Sequence, residues 1–194
     1  MASLVDWHVA TRAVGSESGD QYLVEGTPES ALVAVVDGLG HGHEAALAAK
    51  AAIAAIEAGP RENLGTLLTR CHETLRGTRG AVLSLASFGV GSLSWLGVGN
   101  VDGVLVRAGF EAPEHLLVRS GVVGRQLPSL QVWRTSVVRG DTLILATDGV
   151  HRRFAEHAGG AFGTRPSAEQ ILVDHGKSTD DALVLVVRYV GPRS

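Results

Sequence analysis

The sequence predicts an α+β fold in which two β-sheets lie face to face and helices pack on their outer sides. Helical patterns are grouped together, from His43 to about residue 76, instead of alternating with strands. A long series of short strands follows, separated by Gly, Asp or Pro turns, which argues for mostly antiparallel layers and against a wound βαβ sheet. One strand, "ALVAVV" at 31–36, is apolar on both faces, as a strand covered from two sides has to be.

Each element has its own signal. "DWHVATRAV" (6–14) partly alternates and predicts a first strand, and "QYLVEG" (21–26) a second. Between them lies "GSESGD", rich in residues that favour turns. After the apolar strand, His43 to Ala58 is mostly Ala with Leu47, Ile53 and Ile56, and it stops at Gly59-Pro60. That combination predicts a helix, and its small alanines predict close packing on a sheet. Leu64, Leu67, Leu68, Cys71 and Leu75 recur at helical spacing and predict a second helix over 61–76, with Cys71 in its apolar face. Strands are expected at 80–88, 92–98, 101–107, 115–119, 131–138 and 142–147. A short helix near 167–175 and a last strand at 182–190 complete the series.

Length and composition narrow the class. A chain of 194 residues predicts one domain, 1–194, large enough to bury a core without disulfides. Net charge is −3 with no long basic run, which speaks against nucleic-acid binding. Cys71 is the one cysteine and has no intramolecular partner, which suits a reducing cytosol. "MASLVDWHVA" lacks the basic and apolar regions of a signal peptide. The apolar stretches at 31–36 and 143–147 fall far short of the ~18 residues a membrane span needs. A cytoplasmic protein without a membrane partner is expected.

The chemistry concentrates in aspartates at strand ends. Asp20 precedes "QYLV", Asp37 follows "VAVV", Asp148 follows "TLILAT", and Asp180-Asp181 precede "ALVLVV". Any one of these could simply be a turn residue beside glycine. Several of them converging would repel one another unless a cation lay among them, and all-oxygen ligation suits Mg2+ or Mn2+. The glycines after Asp37 (Gly38, Gly40, Gly42) suggest a nucleotide cradle as an alternative. That alternative fails, because no Gly-Lys-Ser/Thr follows, the spacing misses the dinucleotide fingerprint, and Asp37 would repel a phosphate.

"SGD" (18–20), "VVDGLGHG" (35–42), "GVGN" (97–100), "GDTLILATDGV" (140–150) and "STDDALVLVVR" (178–188) occur in that order. Together they resemble the metal-dependent PPM/PP2C protein phosphatases, and more closely their bacterial SpoIIE-like branch. The resemblance implies a four-layer αββα sandwich of two mostly antiparallel sheets. It implies two Mn2+ or Mg2+ ions bridged by Asp37, with the Gly38 carbonyl on one and Asp148 and Asp180 on the other. Asp20 would act through water, and Asp181 would take the place of Asp180 if the register shifts by one. Asp20 and Asp37 would be the catalytic carboxylates, with a water activated by two dications attacking phosphorus. His41 is a candidate general acid, although "DGLGHG" stands where the eukaryotic relatives have "DGHGG"; a solvent or backbone contact at the helix start is the other reading. His43 is a weaker candidate.

The same resemblance, with a chain this short and no sensor segment, is to the stressosome feedback phosphatases. It implies a phosphorylated protein substrate, a stressosome scaffold of the STAS-domain type. Phosphorylated anti-sigma-factor antagonists are the alternative substrate. A silent partner-binding member is a further alternative, against which the retained carboxylates argue. Gly19 stands where the eukaryotic branch has a second acid. Arg12 is the nearby candidate phosphate binder, to be weighed against a solvated strand position. Asn100 either shapes the site or only turns the chain.

Overall fold

The computed structural model describes residues 3–109, 112–158 and 167–192. The chain runs β1 (Val5–Arg12), β2 (Asp20–Gly26), β3 (Ser30–Gly38), α1 (His43–Glu57), α2 (Leu64–Thr74), β4 (Ala81–Gly89) and β5 (Ser92–Val98). It continues with β6 (Asp102–Val106), β7 (Glu114–Leu116), β8 (Trp133–Ser136), β9 (Thr142–Ala146), α3 (Phe154–His157), α4 (Ala168–His175) and β10 (Ala182–Tyr189). One sheet has the order β1-β10-β9-β6-β7 and the other β2-β3-β4-β5-β8. Every strand pair in both is antiparallel.

Strand alternation sorts the side chains into layers. In β3, Val33 and Val35 point into the apolar layer between the sheets, with Leu143, Leu145, Leu183 and Leu185 from the facing sheet. Leu32, Ala34 and Val36 point the other way, onto α1 and α2. The reverse side of the β9–β10 sheet buries Ile144, Ala146, Val184 and Val186 with Phe154 and Ile171 from α3 and α4. The expected α+β sandwich with helices on both outer faces is therefore present, and β3 is the doubly covered strand that its composition demanded.

Helix α1 lies close to its sheet because its inner face is built from Ala45, Ala48, Ala49 and Ala52, while Leu47 is exposed. The approach is so close that a Cβ at Gly38 would stand 2.1 Å from the Ala45 carbonyl oxygen. Helix α2 starts at Asn63, whose side chain accepts a hydrogen bond from the Thr66 N–H at 2.9 Å. Cys71 is buried in its inner face, and burial pushes its thiol up to about 12, so it is packing and not a nucleophile.

The strands expected at 115–119 and 131–138 are cut most, to Glu114–Leu116 (β7) and Trp133–Ser136 (β8). After Leu116 the chain leaves its sheet and crosses to the other, where Arg119 exchanges backbone hydrogen bonds with Gly97 (3.0 Å) and Gly99 (2.8 Å). Residues 117–119 therefore cannot extend β7. Helix α3 was not expected from the sequence, being a single turn with too few residues to show periodicity.

The central layer depends on tightly packed leucines. Leu145→Ala, which empties a fully buried position there, is expected to cost about 2–5 kcal/mol. Urea unfolding monitored by tryptophan fluorescence measures it.

Candidate metal centre

The alternation that builds the apolar layer also brings the carboxylates together. Tyr22 and Val24 on β2, Val33 and Val35 on β3, and Leu183 and Leu185 on β10 face the space between the sheets. Two residues along the same strands, the same faces carry Asp20, Asp37 and Asp181. Thr147 continues the series Leu143, Leu145 beyond β9, with Asp148 next to it. All four strand ends lie at one end of the sandwich, where the apolar filling gives way to acid.

Asp20 and Asp37 are direct cross-strand partners. Like charges directly opposite each other destabilise a sheet. Asp20 is almost fully buried and accepts a hydrogen bond from the Thr147 hydroxyl at 2.7 Å. Burial pushes its carboxyl up to about 7, opposed by the Thr147 hydrogen bond and reinforced by Asp181, Asp148 and Asp180. Burial pushes Asp37 up to about 8, with repulsion from Asp20, Asp148, Asp180 and Asp181 added.

The two adjacent aspartates of the closing motif have different surroundings. Asp181 is buried, and its two oxygens accept the backbone N–H groups of Val14 (2.8 Å) and Gly19 (2.7 Å), which ties the β1–β2 connection to β10. Asp180 is more open, accepts the Asp181 N–H at 3.0 Å and faces the cleft. Asp148 accepts a hydrogen bond from the Asn100 amide at 2.8 Å. The Asn100 side-chain oxygen is buried without a partner. Asp148 is further held by Lys177, whose ammonium donates to its backbone carbonyl. Arg12, expected on a solvated strand position, is partly buried and donates to the Lys177 carbonyl.

Above this floor opens a cleft of about 870 Å3, lined by Asp37, Asp148, Asp180, Asn100, His41 and Glu17 among others. His41 is exposed on its wall. His43 points to Glu17 instead, at 3.3 Å. Gly38 hydrogen-bonds through its N–H to the Gly19 carbonyl at 3.0 Å, which fixes the loop beside Asp37. Gly149 has no room for a side chain, since a Cβ there would stand 1.8 Å from the Asp181 carbonyl oxygen.

Among the described residues, no three His, Cys, Asp or Glu side chains close into a ready-made coordination cage. The donor set is nevertheless all oxygen, acidic and in mutual electrostatic reach, and it includes an unsatisfied amide oxygen. That chemistry fits hard divalent ions. Sequence reading missed Thr147 and Lys177, which touch the site residues. The signal for Thr147 was its strand parity with Leu143 and Leu145; Lys177 had none.

Residues 27–192 match the family model described as stage II sporulation protein E (SpoIIE). The chain belongs to this SpoIIE family of PP2C-type serine/threonine phosphatases. It is 25% identical over 135 residues to the phosphoserine phosphatase RsbX of Bacillus subtilis (strain 168), covering 69% of this chain and 67% of that protein. It is 31% identical, with a TM-score of 0.82, to a structure described as "The bacterial stressosome: a modular system that has been adapted to control secondary messenger signaling", covering 95% of this chain and 99% of that one. The structure of RsbX in complex with magnesium shares the fold at 19% identity and a TM-score of 0.81, over 95% of this chain and 94% of that one. No helix of the described residues is long and apolar enough to cross a membrane.

The raised carboxyls have a consequence for stability. In the folded chain Asp20 and Asp37 keep protons up to about pH 7 and 8, whereas the unfolded chain loses them near 3.8. Folding therefore takes up protons across that window, and in the presence of EDTA stability falls as pH rises through it. Mn2+ is expected to reverse the fall near the upper end, because it binds the ionised, folded site. Melting temperatures from about pH 5 to about pH 8, with EDTA and with Mn2+, measure both effects; a flat or rising EDTA series contradicts the reading.

Proposed function

We propose that residues 1–194 act as one catalytic unit, a Mn2+- or Mg2+-dependent phosphoserine/phosphothreonine protein phosphatase. The observation that carries this reading is the pair of directly opposed carboxylates, Asp20 and Asp37, at the strand ends that also bring Asp148 and Asp180. A fold gains nothing from such a pair unless a cation neutralises it. In this reading Asp37, the Gly38 carbonyl, Asp148 and Asp180 would hold two dications, and Asp20 would act on them through water. When bound, the two ions supply neutralisation of the phosphoryl oxygens and a water acidified to near-neutral pKa.

The chain's own residues do the rest. Asn100 fixes the Asp148 carboxylate, and Lys177 holds the backbone beneath it. Asp181, whose two oxygens each accept a backbone N–H, is a clamp that presents Asp180. The acidic floor repels a bare phosphomonoester, so substrate binds only once the site's charge has been balanced. His41 is the candidate donor of a proton to the departing serine or threonine oxygen; its exposure on the cleft wall supports that role.

The substrate follows from the relatives. Similarity to a phosphoserine phosphatase of Bacillus subtilis and to a stressosome structure supports a phosphorylated STAS-domain scaffold of the stressosome, in the cytosol. Purified chain with Mn2+ is expected to release phosphate from such a phosphoserine scaffold, faster than from a phosphorylated anti-sigma-factor antagonist. EDTA, or Asp37→Asn, is expected to lower the rate at least ~10²-fold. Release that survives EDTA or the Asp37 change contradicts the two-metal reading, and preference for the antagonist redirects the substrate assignment.

A further inference from the structure

We infer that Thr147 is a positioning residue that sets Asp20 against the metal site and shapes the turn presenting Asp148. Thr147 is buried at the end of β9, and all its polar atoms are committed. Its N–H donates to the Leu183 carbonyl at 3.1 Å. An antiparallel ladder would complete this pair by donating the Leu183 N–H back to the Thr147 carbonyl. It does not. The Leu183 N–H goes instead to the Thr147 hydroxyl oxygen at 2.9 Å. The carbonyl is thereby freed to accept the Val150 N–H at 3.0 Å, closing the turn that contains Asp148 and Gly149.

The hydroxyl thus substitutes for a ladder carbonyl, and this determines where its own proton goes. The Leu183 N–H can only donate, so the hydroxyl is its acceptor and directs its single hydrogen to Asp20, 2.7 Å away. One side chain therefore couples three things: the end of β9, the Asp148 turn, and a carboxylate of the opposite sheet. Serine can make the same bonds. Valine has the same shape and can make none, leaving the Leu183 N–H and Asp20 both unsatisfied.

This inference rests on the metal-site reading, and the test separates the two. Mn2+ affinity is measured by isothermal titration calorimetry on the full chain. Thr147→Val is expected to weaken binding about 10–100-fold, as loss of an orienting partner behind a ligand set does. Thr147→Ser is expected to stay within about threefold of the parent. In an Asp20→Ala background, Thr147→Val is expected to cost clearly less than it does in the parent, because the bond to Asp20 is already gone and only the Leu183 and Asp148-turn part remains to be lost.

Thr147→Val that binds Mn2+ like the parent overturns the inference, as does an undiminished cost in the Asp20→Ala background, which would mark a purely structural threonine. A parent chain that binds no Mn2+ overturns the metal reading, and this inference with it. If circular dichroism shows Thr147→Val to be unfolded, Thr147→Cys, with its weaker donor and acceptor, takes its place and is expected to fall between serine and valine.

Discussion

Two carboxylates placed opposite each other on neighbouring strands, Asp20 on β2 and Asp37 on β3, are the constraint around which the rest of the site is organised. A sheet ordinarily avoids that arrangement, because the two charges meet at the closest cross-strand distance and one of them is buried. Here burial, reinforced by repulsion between the two and from Asp148, Asp180 and Asp181 of the facing sheet, raises the carboxyls of Asp20 and Asp37 well above the usual range. The chain tolerates this at one end of the sandwich only because the remainder of the layer is closely packed Val and Leu. Stability is concentrated in the apolar layers and spent at the acidic rim, the division expected of a functional site.

The acidic rim is held in place by neutral donors and by backbone. Thr147 supports Asp20, Asn100 supports Asp148, and the N–H groups of Val14 and Gly19 support Asp181. None of these partners brings a positive charge into the floor of the cleft. Lys177 comes nearest, but it is bound to the Asp148 carbonyl and not to its carboxylate. The carboxylates are thus oriented without a basic side chain bound to them, which leaves their oxygens available for divalent ions. Two glycines complete the construction. Gly38 and Gly149 follow Asp37 and Asp148 where backbone from Ala45 and Asp181 leaves no space for a Cβ.

Much of this was legible in the sequence, for a physical reason. Strand parity is a local property, so "ALVAVV" announced a doubly covered strand, and the aspartates beyond the apolar runs announced a shared rim. The alanine face of α1 announced close packing, and Gly38 shows how close. What could not be read were relations between strands distant in sequence. That Asp20 lies opposite Asp37 depends on the β2–β3 register, and that Asp181 reaches back to Val14 and Gly19 depends on β10 pairing with β1. The shortening of β7 was hidden for the same reason, since Arg119 pairs with the far sheet. Arg12 read as a surface residue because its partner, the Lys177 carbonyl, is contributed by a loop 165 residues away.

The central claim is that the opposed carboxylates exist to hold divalent ions. Its most direct measurement is an anomalous-scattering map of crystals grown with Mn2+. The account predicts two peaks in the cleft, between Asp37, Asp148 and Asp180, and loss of both in Asp37→Asn. A well-ordered cleft with no anomalous peak at saturating Mn2+, or peaks confined to other parts of the surface, would contradict it.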